Sequence, residues 1–409
     1  MLQPRERHRE AAAILPEPLS EGGPIPFSAL DLVLEENIGS LDGEWRRLER
    51  LDWTSLHQGM DWCRAWCDAN RSHLIAVRGA SAGRTALLLP LELVSQSGLR
   101  VARFPGGRFN NLNTGLFDPM LTRPDAEELQ NFKVSLRHLL AGKADLMVLD
   151  NVPLFWRGGW HPLADLANIE NQNRSFQLPL FPNFEATLSQ LNAKSRRKKF
   201  RAQTRKLEAM GGFRHVIGDE ATKHGLLDLF FRQKGERLRL QGLPDVFEPT
   251  ETRRFFHRLL DVPSQDADRP LSLHAIRLKG THEGHIAAIA GLARKGDHVI
   301  CLFSSIDESI AAEASPGELL FWLMIEQCCR EGVAIFDFGI GDQLYKRSWC
   351  SQETVQHDIL LPVSWKGSIA HPALIAATRA KAVVKRNPRL YSLLQRWRSG
   401  FSRASRTPH

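Results

Sequence analysis

The sequence predicts an α/β (α+β) chain in which mixed sheets are flanked by helices and divided between two units. Three observations carry this. The 409 residues exceed one typical core and suit two domains of about 150 to 190 residues. Residues 271–278, 285–292 and 298–304 alternate as strands, two of them joined by a Lys295-Gly296-Asp297 turn. They lead into SPGELLFWLMIEQCCREGVAIFDFGIGDQLYKRSW, residues 315–349, which reads as turn, helix, strand and polar loop in one run.

Taken in order, residues 1–26 are charged, Ala-rich and then broken by Pro and Gly, and read as a disordered leader. Their longest apolar stretch, AAAIL, is shorter than the roughly 7 to 15 residues of a signal h-region. A first unit over 27–178 opens with a Trp-rich helical stretch at 45–66. Strands at 73–78 and 84–93 follow, joined by a Ser-Ala-Gly turn. A strand at 100–104 enters the Asn- and Gly-rich loop GGRFNNLNTGLFDP, a composition that suits turns and also lines sites. A helix at 125–141 and a strand at 145–149 complete the unit, and polar residues 168–176 lead across.

The second unit, 179–365, opens with the basic helix LNAKSRRKKFRAQTRKLEAMGG at 191–212, followed by helices at 223–240 and 251–260 and then the three strands. Ser315 reads as an N-cap, Pro316 as the first helical residue and Glu318 as the partner of a capping box. Gly332 is the expected αL terminator. Residues 333–338 form an apolar strand interrupted by Asp337, whose pKa burial would raise.

Composition narrows the function classes. No window approaches the roughly 18 to 20 apolar residues of a membrane span. Six cysteines without CxxC pairs suggest core thiols in a reducing cytoplasm. Cys63 and Cys67 share a helix face, but with no nearby His or Cys pair no metal is assigned. After Asp358 there is no acidic residue while ten Lys and Arg follow, so the net charge of +8 belongs to the tail. Within 366–409, Leu390, Leu393, Leu394, Trp397 and Phe401 keep helical spacing among arginines. That is the pattern of a helix on an anionic membrane surface, and equally of a solvated helix packed on the body.

The order Ser-Pro-Gly, amphipathic helix, Glu-Gly, Phe-Asp-Phe-Gly, Gly-Asp, Tyr-Lys and Trp, together with the basic helix, resembles the CelD/BcsL-type (BioF2-like) acyltransferases of the GNAT superfamily. The resemblance extends to the tandem Fem-type proteins, and implies two GNAT-like units of which the second transfers an acyl group. It further implies acetyl-CoA or another acyl-CoA as cosubstrate. An amine or hydroxyl acceptor is expected, such as an amino sugar or glycan precursor of polysaccharide or cellulose biosynthesis, handled in the cytoplasm or at the inner membrane. Nucleic acid is not expected, except tRNA in a Fem-type aminoacyl transferase. A catalytically silent membrane-surface adaptor is the third reading.

For each chemical demand of the transfer the resemblance implies residues. Ser315, Gly317 and Glu318, with Ala314 and Pro316, occupy the place where a helix N-terminus holds the cofactor pyrophosphate. The usual longer glycine loop is absent, and Pro316 has no N–H to offer. Phe303 and Ser304, at the end of the preceding strand, would polarise the thioester through a backbone N–H. Asp337 and Asp342 are base candidates, and Asp337 equally suits anchoring the Gly339 to Gly341 turn. Tyr345, one of two tyrosines against 21 phenylalanines, is the acid candidate. Lys346 would hold an anionic group, and Trp349 would stack on a sugar or close the core. The basic helix, with eight Lys and Arg over residues 194–206, implies an anionic neighbour or a solvated face. Three other motifs are set aside. FGIG lacks the third glycine of a dinucleotide loop, HEGH has the wrong spacing for a zinc protease, and no G-x-S-x-G elbow occurs.

Overall fold

In a computed structural model, which describes residues 23–264 and 268–386, two sheets repeat one strand order. The first runs Asp31–Glu35, His73–Ser81, Arg84–Gln96, Leu99–Arg103, Leu146–Pro153, Gln356–Pro362 and Ile169–Glu170, with Leu116–Phe117 added beside Arg84–Gln96. The second runs Phe213–Ile217, Arg269–Leu278, Ile286–Lys295, His298–Ile306, Ile335–Ile340, Ser175–Pro179 and Gln352–Thr354. In each sheet the fourth and fifth strands pair in parallel and the other pairs are antiparallel. A parallel pair needs a crossover. Ala126–Leu140 supplies it in the first sheet and Pro316–Arg330 in the second. Two helices likewise join the first and second strands of each sheet: Asp42–Glu49 with Met60–Asn70, and Lys223–Leu240 with Thr250–Asp261. The duplication invisible in the residues is therefore explicit in the topology.

The sixth strand of each sheet comes from the other half of the chain. Ser175–Pro179, which spans the end of the expected polar crossing and the expected boundary after residue 178, pairs with Ile335–Ile340 in the second sheet. Gln356–Pro362, expected within the second unit, pairs with Leu146–Pro153 in the first. The expected boundary after residue 178 thus falls inside an exchanged strand. Of the expected leader, residues 1–22 lie outside the described residues, whereas Ile25 bridges Leu121.

Local chemistry explains the main helices. Asp125 and Glu128 close a capping box at the start of Ala126–Leu140. Thr252, Phe255, Phe256, Leu259 and Leu260 are buried along Thr250–Asp261, the i, i+3, i+4 stripe of a helix with one covered face. That stripe meets the other unit. Trp62 and Trp66 pack edge-on against Phe255 at ring separations of 4.9 and 5.1 Å, and Phe109 does so against Phe256 at 5.1 Å. Such pairs each add about 0.5 to 1.5 kcal/mol beyond their burial.

The Asn-rich loop is pinned within the first unit by Asn110 and Asn113 and reaches the second sheet through Asn111. Asn110 accepts from the Trp62 indole at 3.0 Å, Asn113 donates to the Asp150 carbonyl at 2.7 Å, and Asn111 accepts from the Ile340 backbone N–H at 3.2 Å. At the far end, the helix Trp365–Arg386 starts where Ser364 donates to Asp145 at 2.8 Å. Residues 387–409, with the expected apolar stripe of the tail, lie outside the described residues. No helix among the described residues is long and apolar enough to cross a membrane.

Candidate active site

The parallel pair of the second sheet is short. His298, Val299 and Ile300 face Ile335, Phe336 and Asp337, and beyond them the two strands part. His298–Ile306 stays with Ile286–Lys295, and Ile335–Ile340 stays with Ser175–Pro179. Just past the parting, Leu292 pairs with Cys301 but Gly291 pairs with Phe303, so Leu302 is a bulged extra residue. A bulge kinks its strand and frees a residue from the ladder, a device common beside reactive centres. Sequence reasoning put the free backbone donor at Phe303 or Ser304. The ring of Phe303 stacks on Phe230 at 4.1 Å, and the Ser304 carbonyl accepts from Lys234 at 3.1 Å.

Asp337 sits at the parting point and is fully buried. Its carboxylate accepts from the Gln177 amide at 2.7 Å and the Gly339 N–H at 2.6 Å, and His298 Nε2 lies 3.4 Å away. Burial alone would raise its pKa, as expected from the sequence. The His298, Gln177 and Gly339 contacts outweigh burial, and the pKa falls below the ordinary carboxylate value. Asp337 thereby fixes the turn at Gly339, whose φ of 69° and proximity to Asn111, 2.6 Å from an added Cβ, require glycine.

Residues expected as a polar loop form the short helix Leu344–Trp349, which projects its side chains into the same region. Lys346 is buried, donating to the Gly339 and Ile340 carbonyls at 3.2 and 2.7 Å, and burial lowers its pKa to about 8. Tyr345 stacks on Phe321 at 5.3 Å, and its phenol, hydrogen-bonded with Ser304, is pushed well above its ordinary pKa by burial. Asp342 is exposed at the rim and paired with Arg347 at 2.6 Å. The structure thus gathers Asp337, Tyr345, Lys346 and Ser304 and leaves Asp342 outside that cluster. Trp349 closes the core beneath the Arg196 guanidinium, 3.8 Å from its ring.

The start of Pro316–Arg330 departs from the expected capping box. Ser315 adopts a left-handed conformation with φ of 48°, and its hydroxyl caps nothing. Glu318 pairs instead with the buried Arg196 at 2.7 Å, which neutralises the carboxylate nearest the helix end. The first-turn N–H groups are left without a side-chain cap, at the positive end of the dipole. A groove of about 280 Å³ opens there, bounded by Lys199, Gln203 and Lys206 of the basic helix and by Glu313, Ser315 and Glu318. Gly317 faces the other way, where an added Cβ would meet Ile306 at 2.7 Å. The equivalent helix of the first unit is closed by its own Asp125 and Glu128. Of the two duplicated helix ends, the second has no side-chain cap, but Pro316 has no N–H and those of Glu318 and Leu319 bond to the Ser315 carbonyl, which leaves the Gly317 N–H as the donor of that turn.

Several of these residues were not singled out in the sequence. His298 and Gln177 carry no local signal, because their partner Asp337 is distant in sequence and reached only through strand pairing. The seven-residue spacing of Lys199 and Lys206 puts both on one helix face, a signal that was present within the basic run.

Residues 194–347 match the Acetyltransferase (GNAT) domain family. No curated protein matches the chain in sequence. Among solved structures, FemX is similar with a TM-score of 0.58 and 12% identity, over 81% of this chain and 97% of that one. A conserved protein of unknown function from Bacteroides thetaiotaomicron VPI-5482 is similar with a TM-score of 0.53 and 11% identity, over 81% of this chain and 100% of that one. At these identities the likeness shows the fold. The GNAT match over residues 194–347 supports a transferase, and the matched residues supply most of the second of two sheets that repeat one strand order.

Proposed function

We propose that the second unit transfers an acyl group from an acyl-CoA to an amine or hydroxyl acceptor by direct attack. The observation that carries this reading is the pairing of two features at one end of His298–Ile306. One is the parting of the strands beside Tyr345 and Lys346, and the other is an uncapped helix end over a lysine-bounded groove. The groove suits the phosphates of the cosubstrate, held by Lys199 and Lys206 with the Gly317 N–H at the positive end of the helix dipole. The gap between the strands suits its extended acyl arm, with a freed backbone donor near Leu302 polarising the thioester. The acceptor nitrogen or oxygen attacks the carbonyl carbon, the C–S bond breaks, and Tyr345 gives its proton to the departing thiolate. Its high pKa keeps the phenol protonated until then. Asp342, at the rim with Arg347, is the base accessible to an incoming acceptor, and Asp337 positions the turn. The resemblance to CelD/BcsL-type enzymes supports an amino-sugar or glycan-precursor acceptor.

A second reading, aminoacyl transfer from tRNA, draws on the basic helix and on the fold likeness to FemX. Calorimetric titration of the full chain with acetyl-CoA, a longer acyl-CoA and tRNA separates the two. Acyl-CoA binding that is lost in Lys199→Glu/Lys206→Glu supports the proposal. Indifference to both acyl-CoAs with salt-dependent tRNA binding overturns it in favour of the second reading.

A further inference from the structure

The helix Trp365–Arg386 is seated on the body by one face, along which Gly367 is buried and Ala370, His371, Ile375 and Thr378 are half-buried. Gly367 packs so closely on Asp145 that a Cβ would fall 1.8 Å from its carbonyl oxygen. Outward, Trp365 is 71% exposed and Ile369 67%. Four residues apart, they share one helix face, which exposed Pro372, Ala373 and Ala376 continue. A helix packed on a soluble body turns such side chains inward and its polar ones outward. Here the largest apolar groups point to solvent, with exposed Lys366 and Arg379 beside them.

Charge identifies the occupant. Between Asp358 and the C-terminus the chain carries ten Lys and Arg and no acid. A second copy would bring the same positive charge to the contact. An anionic lipid surface offers negative headgroups to the lysines and arginines and an apolar layer to Trp365 and Ile369. We propose that this helix lies in the plane of an anionic bilayer surface, with Trp365 and Ile369 inserted at the headgroup boundary. The proposal does not depend on the acyl-transfer reading.

Flotation of the full chain with vesicles of phosphatidylcholine alone, or of phosphatidylcholine with phosphatidylglycerol, tests it. Binding is expected only to the anionic vesicles, and is expected to weaken as salt rises. Trp365→Ser/Ile369→Ser should weaken it at least about tenfold, with melting temperature unchanged because neither side chain packs on the body. Lys366→Gln/Arg379→Gln should weaken it less. Absence of binding by the wild-type chain, equal binding to both compositions, or full binding by Trp365→Ser/Ile369→Ser would each overturn the proposal. A dimer in sedimentation velocity that dissociates in that same double variant, without vesicle binding, would assign the face to a second copy.

Discussion

Asp337 illustrates how one carboxylate serves several neighbours. It accepts from Gln177 on one oxygen and from Gly339 on the other and stands beside His298, so each carboxylate oxygen has a donor. Asp337→Asn is expected to cost about 3 to 5 kcal/mol, the range for breaking a buried charged contact, measurable as a shift in the urea midpoint. Lys346 gives a pH signature. Its folded-state pKa is lowered from 10.5 to about 8, so the unfolded chain binds the proton more tightly. Stability attributable to Lys346 is therefore flat below pH 8, rises between about pH 8 and 10.5, and is flat again above. Lys346→Met should flatten that rise in urea midpoints taken across the window. Tyr345→Phe should lower kcat about 10²- to 10⁴-fold with little change in melting temperature. A small loss in kcat would reduce Tyr345 to a packing residue. The residue types at this site were legible because Asp337, Tyr345 and Lys346 stand out against an apolar run. The direction of the Asp337 shift was not, since it depends on His298 and Gln177, which only strand pairing brings near.

At the scale of elements, the two crossover helices behave differently because of what sits at their first turns. Ala126–Leu140 spends its donors on Asp125 and Glu128. Pro316–Arg330 has its acidic residue drawn away by Arg196. Arg196→Ala would release Glu318 toward the groove, and is expected to weaken acyl-CoA binding about tenfold, a loss of about 1.4 kcal/mol, in calorimetric titration. Element types and centres were legible in the second unit, where residues 223–240 were read as a helix and Lys223–Leu240 is one. The Ser-Pro-Gly helix was also legible as a helix, but not its open end. A capping box is inferred from spacing alone, whereas the tertiary ion pair that prevents it lies 122 residues away. The exchange of Ser175–Pro179 and Gln356–Pro362 was likewise beyond reach, because strand partners are not encoded in local pattern.

At the scale of the molecule, the halves are held by exchanged strands and by the Trp62, Trp66, Phe255 and Phe256 seam. Neither half has a complete sheet of its own. The chain should therefore melt in one calorimetric transition, and Phe255→Ala should lower its stability by about 3 to 5 kcal/mol without splitting that transition. Two resolved transitions would show the units to be thermodynamically independent. The exchange also orders events at the ribosome. The strand that covers the edge of Leu146–Pro153 is Gln356–Pro362, so the first sheet keeps an unpaired edge until residues 356–362 have been synthesised. At about 5 to 20 residues per second, the nascent N-terminal half waits roughly 10 to 40 seconds with that edge open. Open strand edges recruit other strands. Synthesis of this protein thus contains an interval in which its first half carries an exposed edge, and a chain truncated before Gln356 is expected to aggregate more than the full chain, as measured by light scattering.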